Sequence, residues 1–188
     1  MKRDEDYYHL FYFTLLSIPI TNKEYHMIYE VAGDILLTKA QAIAHGVAPN
    51  DDFTSVLALS LREHWPAMYK EFRHYCHTMH PKVGEIWIWA EPEGRRIVNL
   101  FTQEAAYGHG AKPGRARVEY VNHTLRALHK AVESEKFTSL ALPRLASGVG
   151  GLNWESVFPL VTKHLGELTI PIFVYTTFHK GMKADEKI

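Results

Sequence analysis

The sequence contains 188 residues, which is the length of one compact domain with a short additional segment. Apolar residues make up 46% of the chain, which excludes intrinsic disorder. Because 21 basic residues balance 21 acidic ones, the net charge produces no overall electrostatic field that would attract nucleic acid or an anionic membrane. Cys76 is the only cysteine, which excludes disulfide frameworks and CxxC sites and predicts a reducing, cytoplasmic location.

Residues 1–26 differ from the rest of the chain because they are acidic and rich in aromatic residues. Their apolar stretch, from His9 to Ile20, is too short to cross a bilayer of about 30 Å, so no membrane contact is predicted. An acidic DED precedes it and no small-residue cleavage site follows, which argues against a signal peptide. We expect residues 1–26 to be an N-terminal arm, an extra edge strand or a mis-set translation start, and residues 27–188 to form the domain.

From Met27 onward, short β-branched and aromatic runs alternate with helical ones, which is typical of an α/β fold. The predicted strands are 28–31, 42–45, 86–89, 97–101, 139–142 and 172–175. The third and fourth strands flank EPEGR, whose Pro and Gly mark a tight connection. We therefore predict an antiparallel hairpin beside an otherwise parallel sheet, which makes the sheet mixed.

The predicted helices follow from apolar residues spaced three and four apart. The clearest runs from about 117 to 133, and a second apolar stripe is interrupted by Pro66, which lacks an amide donor and predicts two separate helices. A last helix is expected from about 154, with Asn153 as its cap and Pro159 near its first turn.

The strongest local signal is SLALPRLASGVGGLNW, residues 139–154, which predicts a buried strand, a glycine-rich loop and a helix. Glycine amides and a helix N-terminus present partial positive charge to an anion such as a phosphate. Loops at the carboxyl ends of strands are where open α/β sheets bind ligands. The motif is neither a P-loop nor a dinucleotide GxGxxG, and a turn that only connects strand to helix is the alternative.

Two further polar residues follow predicted strands. Asp34 comes after Gly33 in EVAGDILL, where its carboxylate can accept an exocyclic amine such as that of adenine, or simply cap a turn. His45 ends the second strand and precedes a polar loop. A single histidine in that position is more often packed in the core than catalytic.

The motif HYCHTMH, residues 74–80, contains three histidines and Cys76, which raises the question of zinc. His77 and His80 share a helical face, whereas Cys76 and His77 are adjacent and point apart. The sequence offers no second ligand pair at a standard spacing. We therefore expect solvated histidines at a helix end and no bound metal.

Basic residues are concentrated between Lys112 and Lys130, where five of them accompany one acidic residue. Most of this segment is expected to be a solvated helix face. Lys112, Arg115 and Arg117 precede the helix in a loop with Gly and Pro, where they can contact a polyanion.

Taken in chain order, GDILL, AIAHGVAPNDDF, the strand ending in NLFT, and SLALPRLASGVGGLNW resemble the macrodomain family. The nearest branch contains the terminal ADP-ribose glycohydrolase and the DNA ADP-ribosyl glycohydrolase antitoxin, and the resemblance covers about residues 28–177. It implies a three-layer α/β/α sandwich with a mixed, largely parallel sheet. It also implies a cleft for ADP-ribose across the strand ends, with no cofactor and no metal.

The resemblance implies a role for each matched segment. Asp34 would bind the adenine amine and Ile35 would offer its backbone nearby, while Phe178 would cover the adenine. The loop from His45 through Asn50 to Phe53 would close the other side. The residues implied around the diphosphate and the distal ribose are Ser147, Gly148, Val149, Gly150 and Gly151. Thr102 is also implied to bind ADP-ribose.

The sequence departs from this branch at the residues that carry its chemistry. Where relatives have a nucleophilic Lys after the Thr of the fourth strand and an Asp in the glycine loop, this chain has Gln103 and Gly150. The amide nitrogen of Gln103 cannot form an imine, so a mechanism that uses a Lys at this position is excluded. The missing Asp is less unusual, because the glycine loop of the antitoxin-like relatives lacks it too. Residues 54–56 replace the glycines of the first loop, and Val56 is expected to resist positive φ and narrow the ribose pocket.

A site of this kind can still catalyse hydrolysis by activating a water molecule. Glu104, beside Gln103, is the first candidate for the general base, with a surface carboxylate as the alternative. His109 is the second candidate, because imidazole titrates near neutrality. Asp51 and Asp52 are others, although an NDD run often only closes a turn.

Three function classes follow from these observations. The first is a module that binds ADP-ribose, free or attached to protein or nucleic acid, and the second is a glycohydrolase that removes that group. The third, a nucleic-acid or metal module, ranks last because the net charge is zero and the ligand spacing is poor.

Overall fold

A computed structural model describes residues 27–105 and 111–188 of the chain. The arm predicted at residues 1–26 and the candidate base His109 lie outside the described residues. The elements in chain order are β1 (Ile28–Gly33), a 3-10 helix (Ile35–Leu37), β2 (Ala42–Val47), α1 (Val56–His64), α2 (Pro66–Met79), β3 (Ile86–Ala90), β4 (Arg96–Phe101), α3 (Val118–Ser134), β5 (Leu140–Pro143), α4 (Trp154–Leu165) and β6 (Ile172–Phe178).

The six strands form one mixed sheet in the order β1-β6-β5-β2-β4-β3. All neighbours are parallel except β3 and β4, whose antiparallel register pairs Ile86 with Leu100 and Ala90 with Arg96. This confirms the predicted hairpin and the predicted mixed sheet. Because five strands run in the same direction, their carboxyl ends meet at one edge.

Helices cover both faces of the sheet, as the alternation of side chains along each strand requires. On β2, Ala42 and Ala44 belong to the apolar cluster that contains residues of α3 and α4, whereas Ile43 and Val47 belong to the cluster of α1 and α2. The strands are therefore buried on both sides, which explains their continuous apolar runs. The result is the predicted three-layer α/β/α sandwich.

The helix boundaries follow local chemistry. Pro66 ends α1 and occupies the first position of α2, where its missing amide costs nothing, as predicted. The Asn153 side chain accepts a hydrogen bond from the Glu155 amide at 3.2 Å and caps α4, also as predicted. The expectation for Pro159 was wrong. Because the cap fixes the start of α4 at Trp154, Pro159 lies inside the helix, beyond its first turn.

In the part of the chain that the structure describes, no helix is long and apolar enough to cross a membrane.

Candidate functional site

A cleft of about 630 Å³ opens at the edge where the parallel strands end, and it has the size of a small-molecule site. It is lined by the end of β1, by α1, by the loop between β5 and α4, and by the chain that follows β6. The residues singled out in the sequence that line it are Asp34, Ile35, His45, Gln103, Gly148, Val149, Gly150 and Phe178. Those that lie outside its lining are Asn50, Thr102, Glu104, Ser147 and Gly151.

The β5–α4 loop holds its shape through its own hydrogen bonds. The Arg144 carbonyl accepts hydrogen bonds from the Ser147 amide and hydroxyl, at 3.4 and 2.8 Å. The Leu152 amide donates to the Ala146 carbonyl at 2.9 Å. Gly151 adopts a φ of +72°, a conformation in which a side chain would be strained. Ser147 and Gly151 therefore shape the loop, and they do not line the cleft.

Three consecutive amides in this loop have no acceptor within the described residues: those of Gly148, Val149 and Gly150. All three residues line the cleft. Successive free N–H groups form a concave, partially positive surface that suits a phosphate oxygen. The anion-binding geometry that the glycines predict is thus available in the folded loop.

The two glycines that line the cleft differ in the space around them. A Cβ on Gly150 would lie 2.6 Å from the Ala146 carbonyl oxygen and 2.8 Å from the Ala116 side chain. At Gly148 a Cβ would meet nothing within 4 Å. The loop in this conformation therefore has no room for a carboxylate at position 150, whereas position 148 is open.

The N-terminus of α1 supplies a second set of donors to the same cleft. Ser55 precedes the helix without a side-chain capping bond, and Val56, Leu57 and Ala58 of the first turn line the cleft. The first amides of a helix lack intrahelical acceptors, and the helix dipole makes this end partially positive. Val56 is the first residue of α1 and does not have a positive φ, so replacing the glycine introduces no backbone strain.

Asp34 both caps the 3-10 helix and lines the cleft. Its Oδ1 accepts a hydrogen bond from the Leu36 amide at 3.1 Å, and its Oδ2 accepts one from the Gly181 amide at 2.9 Å. An ionised carboxylate has about four lone-pair sites, so acceptor capacity remains for an exocyclic amine. Phe178, which also lines the cleft, is 63% exposed and presents a free aromatic surface.

His45 is buried beneath the cleft and is neutral at neutral pH. Burial lowers the pKa of His45 to about 4, and the hydrogen bond with Asn99 only partly opposes this effect. The ring nitrogen Nε2 lies 2.8 Å from Asn99 Oδ1, and the ring edge packs against Phe53. Because an amide oxygen only accepts, Nε2 must donate, which leaves Nδ1 as an acceptor.

Of the segment from His45 to Phe53, the residues that line the cleft are His45 and Gly46, whereas Asn50 and Phe53 lie outside its lining. The Asn50 carbonyl accepts a hydrogen bond from Arg73 of α2 at 2.9 Å, and Phe53 is fully buried in the core. Asp51 is also buried, and its two oxygens accept hydrogen bonds from the Phe53 and Ala48 amides. Burial raises the pKa of Asp51. The loop is thus anchored toward α2, and α1 forms the adjoining cleft wall.

Gln103 and Thr102 have different surroundings although they are neighbours. The Gln103 side-chain amide donates to the Gly114 carbonyl at 3.1 Å, which leaves its oxygen available to the cleft. Thr102 is fully buried, and its Oγ1 has no hydrogen-bond partner within the described residues. This hydroxyl lies 2.7 Å from where a Cβ on Gly46 would stand, so the glycine permits the close approach.

Glu104 is engaged at the surface rather than in the cleft. Its Oε1 accepts a hydrogen bond from the Tyr120 hydroxyl at 2.6 Å and forms an ion pair with Arg117 at 3.2 Å. The Glu104 backbone also pairs with Gly114 and Arg115. Glu104 therefore stabilises the segment from Gly114 to Arg117 and the first turn of α3.

Sequence reasoning missed two cleft-lining cations, Arg144 and Lys180. Neither side chain has a hydrogen-bond or ion-pair partner among the described residues. Arg144 could have been found, because it lies in the PRL segment directly before the glycine loop. Lys180 gave no signal, because it follows the last predicted strand.

The histidine motif does not form a metal site within the described residues, where no cluster of three or more His, Cys, Asp or Glu side chains is suited to a metal ion. Cys76 is buried in the core beside Met68 and Phe72, while His77 and His80 are exposed.

Comparisons with known proteins agree with this architecture, although no family model matches the chain. A DNA ADP-ribosyl transferase–DNA ADP-ribosyl glycohydrolase fusion protein of Thermosipho africanus is 24% identical over 162 residues, which cover 80% of this chain and 42% of the relative. A DNA ADP-ribosyl glycohydrolase of Thermus aquaticus is 27% identical over 155 residues, covering 79% of this chain and 41% of the relative. The chain thus spans about two fifths of the length of these relatives.

Solved structures share the fold. The macrodomain of Thermus aquaticus DarG superposes with a TM-score of 0.71 at 26% identity, over 80% of this chain and 98% of that one. Thermosipho africanus DarTG in complex with ADP-ribose also gives a TM-score of 0.71, at 20% identity, over 84% of this chain and 43% of that one.

Proposed function

We propose that this chain, which has the macrodomain fold, binds ADP-ribose, either free or as the terminal group on a macromolecule. One observation carries the proposal: the free amides of Gly148, Val149 and Gly150 share a cleft with the N-terminus of α1 and with Asp34. ADP-ribose is a ligand with a diphosphate between an adenosine and a second ribose. The cleft offers anion donors and an amine acceptor in the same space.

The chemistry of the lining favours one orientation of the ligand in the proposed complex. The diphosphate lies against the free amides and the first turn of α1, with the Arg144 guanidinium as a further cationic partner. The adenine lies at the Asp34 end, where its exocyclic amine donates to the carboxylate and its ring stacks on Phe178. The distal ribose then lies toward Gln103.

We further propose that the bound group is removed from DNA or protein by hydrolysis. The support is the similarity to DNA ADP-ribosyl glycohydrolases, two of which match four fifths of this chain. DNA is the favoured acceptor because both relatives are named for that substrate. A cytoplasmic location is part of the same proposal, since Cys76 is a buried free thiol.

In the proposed hydrolysis water attacks the bond, because position 103 holds a Gln in place of the nucleophilic Lys. Gln103 lines the cleft, and its side-chain oxygen, which has no hydrogen bond within the described residues, would accept one from water or from a ribose hydroxyl. Glu104 remains the carboxylate to substitute first because it adjoins Gln103. Its bonds to Tyr120 and Arg117 favour a role in fixing the loop.

A non-catalytic ADP-ribose reader is the second candidate, and a specific observation favours it. Within the described residues, the carboxylates that line the cleft are Asp34 and Glu63, and Gln103 replaces the nucleophilic Lys. Asp34 is already engaged by two backbone amides. If neither Asp34 nor Glu63 acts as a base at the distal ribose, the site would bind ADP-ribose and release it unchanged.

The experiment that separates the two candidates is incubation with mono-ADP-ribosylated DNA and, in parallel, mono-ADP-ribosylated protein. Release of free ADP-ribose, followed by chromatography, identifies a glycohydrolase and names its acceptor. Retention of the modification on both substrates, together with saturable binding of ADP-ribose, identifies a reader. Absence of both release and binding contradicts the proposed function.

A further inference from the structure

A buried carboxylate near the end of the chain, Glu186, fastens the C-terminal segment to the strand end that carries Asp34. Glu186 is 7% exposed. One oxygen accepts hydrogen bonds from the Tyr175 hydroxyl, at 2.8 Å, and from the Thr38 hydroxyl. The other accepts one from the Lys39 amide at 2.7 Å. Removing a carboxylate from water is costly unless donors replace the water, and here three donors do so.

The segment between β6 and Glu186 lies against the end of β1 and contributes Lys180 to the cleft lining. The Asp34 amide donates to the Met182 carbonyl at 2.7 Å, and the Gly181 amide donates back to Asp34 Oδ2 at 2.9 Å. The His179 amide donates to the Gly33 carbonyl at 3.2 Å. Gly33 is required for this approach, because a Cβ there would lie 2.8 Å from the Ala184 amide nitrogen.

These contacts connect Glu186 to the cleft without placing it there. Phe178 and Lys180 line the cleft, as does Tyr175, whereas Glu186 does not. One oxygen of the Asp34 carboxylate is oriented by the Gly181 amide, which the segment supplies. The position of that oxygen therefore depends on whether residues 179–185 stay against β1.

We propose that Glu186 is a positioning residue for nucleobase recognition. It holds residues 179–185 in place so that the Asp34 carboxylate is fixed before a ligand arrives. The inference rests on the proposed binding of ADP-ribose and deepens it, because it assigns the preference for an adenine-type base to a carboxylate outside the cleft. Fixing the acceptor in advance lowers the entropy cost of binding.

The surroundings of Tyr175 agree with this linkage. Burial raises the pKa of the Tyr175 hydroxyl, the neighbouring Glu186 carboxylate adds to this effect, and the Thr38 hydroxyl partly opposes it. The phenol therefore stays protonated and donates to Glu186 across the usual pH range. Thr38, Tyr175 and Glu186 form one hydrogen-bonded unit behind the cleft wall.

The test compares ADP-ribose with its hypoxanthine analogue, inosine diphosphate ribose, by calorimetry. The two ligands differ at the base, where a carbonyl replaces the exocyclic amine that would donate to Asp34. The wild type is expected to prefer ADP-ribose by about tenfold or more, as for one hydrogen bond to a charged group. Glu186→Ala is expected to reduce that preference to about threefold or less, mainly because the variant binds ADP-ribose more weakly.

The matched control is Asp185→Asn, which removes a carboxylate charge from the neighbouring, exposed position in the same segment. It should keep the wild-type preference. Glu186→Gln retains the volume and one acceptor oxygen, so it should recover part of the preference. Thr38→Val removes one donor outside the cleft and should shift the preference in the same direction, so the inference stays testable if Glu186→Ala does not fold.

The outcomes distinguish the positioning role of Glu186 from the proposed binding of ADP-ribose. If the wild type binds neither ligand, the proposed function fails. If the wild type binds ADP-ribose and the Glu186 and Thr38 variants lose affinity for both ligands in parallel, or for neither, the positioning role is overturned. A preference that falls in these variants and not in Asp185→Asn supports it.

Discussion

His45 and Asn99 stand opposite each other on the adjacent parallel strands β2 and β4, with His45 Nε2 2.8 Å from Asn99 Oδ1. The pair lies under the cleft, where His45 is nearly free of solvent. A buried neutral imidazole that donates to an amide is a stable arrangement only while it stays unprotonated. The pair therefore makes the fold sensitive to acid.

We predict that this histidine makes the fold less stable as the pH falls from about 6.5 to about 4. Above pH 6.5 the imidazole is neutral in both folded and unfolded chains, so it contributes no pH dependence. Below that value the unfolded chain binds a proton that the folded chain excludes until its own pKa of about 4. The loss approaches about 3 kcal/mol at the acid end of the window.

Denaturant titrations of wild type and His45→Gln across this range test the pH prediction. The variant should show a shallower loss of the free energy of unfolding below pH 6.5. Burial raises the pKa of Asp51, which acts in the opposite direction, so the comparison uses the difference between the two proteins. Parallel curves would show that His45 is not the titrating group.

Gly148→Glu is predicted to weaken ADP-ribose binding at least tenfold, on the order of 1.4 kcal/mol or more. The position is open, so the fold should tolerate the side chain, while its negative charge would compete with the diphosphate. The matched control is Gly148→Ala, which adds no charge and should bind within about twofold of wild type. Calorimetry decides, and wild-type affinity in Gly148→Glu would show that the loop only connects β5 to α4.

Gly150→Ala is predicted to destabilise the fold by about 1–3 kcal/mol, because the added Cβ would clash with the Ala146 carbonyl and the Ala116 side chain. Gly148→Ala serves again as the control, since nothing surrounds its Cβ. The measurement is the midpoint of chemical unfolding for the two variants. Equal midpoints would contradict the packing at position 150.

The Thr102 hydroxyl, which has no hydrogen-bond partner among the residues that the structure describes, leads to a stability prediction of opposite sign. Thr102→Val should raise the free energy of unfolding by about 1 kcal/mol, because a buried hydroxyl without a partner carries an uncompensated desolvation cost. Thr102→Ser keeps the hydroxyl, loses a buried methyl group and should be destabilising by about 1 kcal/mol. A destabilised Val variant would mean that the hydroxyl has a partner.

Glu104→Gln is predicted to leave ADP-ribose binding, and any release of ADP-ribose from DNA, within about twofold of wild type. The carboxylate lies outside the cleft lining and is engaged by Arg117 and Tyr120. The loss of this partly exposed pair should cost at most about 1 kcal/mol of stability. A tenfold fall in the release rate, with binding intact, would instead place Glu104 in the reaction.

The sequence predicts the fold well because its signals are local. Alternating and three-to-four spaced apolar residues mark the strands and helices, and Pro66 and Asn153 mark boundaries through their own backbone chemistry. Pro159 was misplaced because a proline is favoured in the first turn, whereas the Asn153 cap sets where that turn begins.

The site is predicted only where its residues share one loop or follow one strand. The glycine loop and Asp34 are of this kind, and both line the cleft. Glu186 acts on the Asp34 end through contacts between residues nearly 150 positions apart, which no spacing rule detects. Asn50 stays a prediction: it lies outside the cleft lining, and its carbonyl accepts a hydrogen bond from Arg73 of α2.

The proposed function requires the cleft to bind ADP-ribose through the free amides of the β5–α4 loop. Calorimetric titration of the wild-type chain with ADP-ribose tests this binding, with a thermal-shift assay as the parallel readout. We predict saturable binding at one site per chain and a higher unfolding temperature in the presence of the ligand. No heat and no thermal shift at millimolar ADP-ribose would contradict the proposed function.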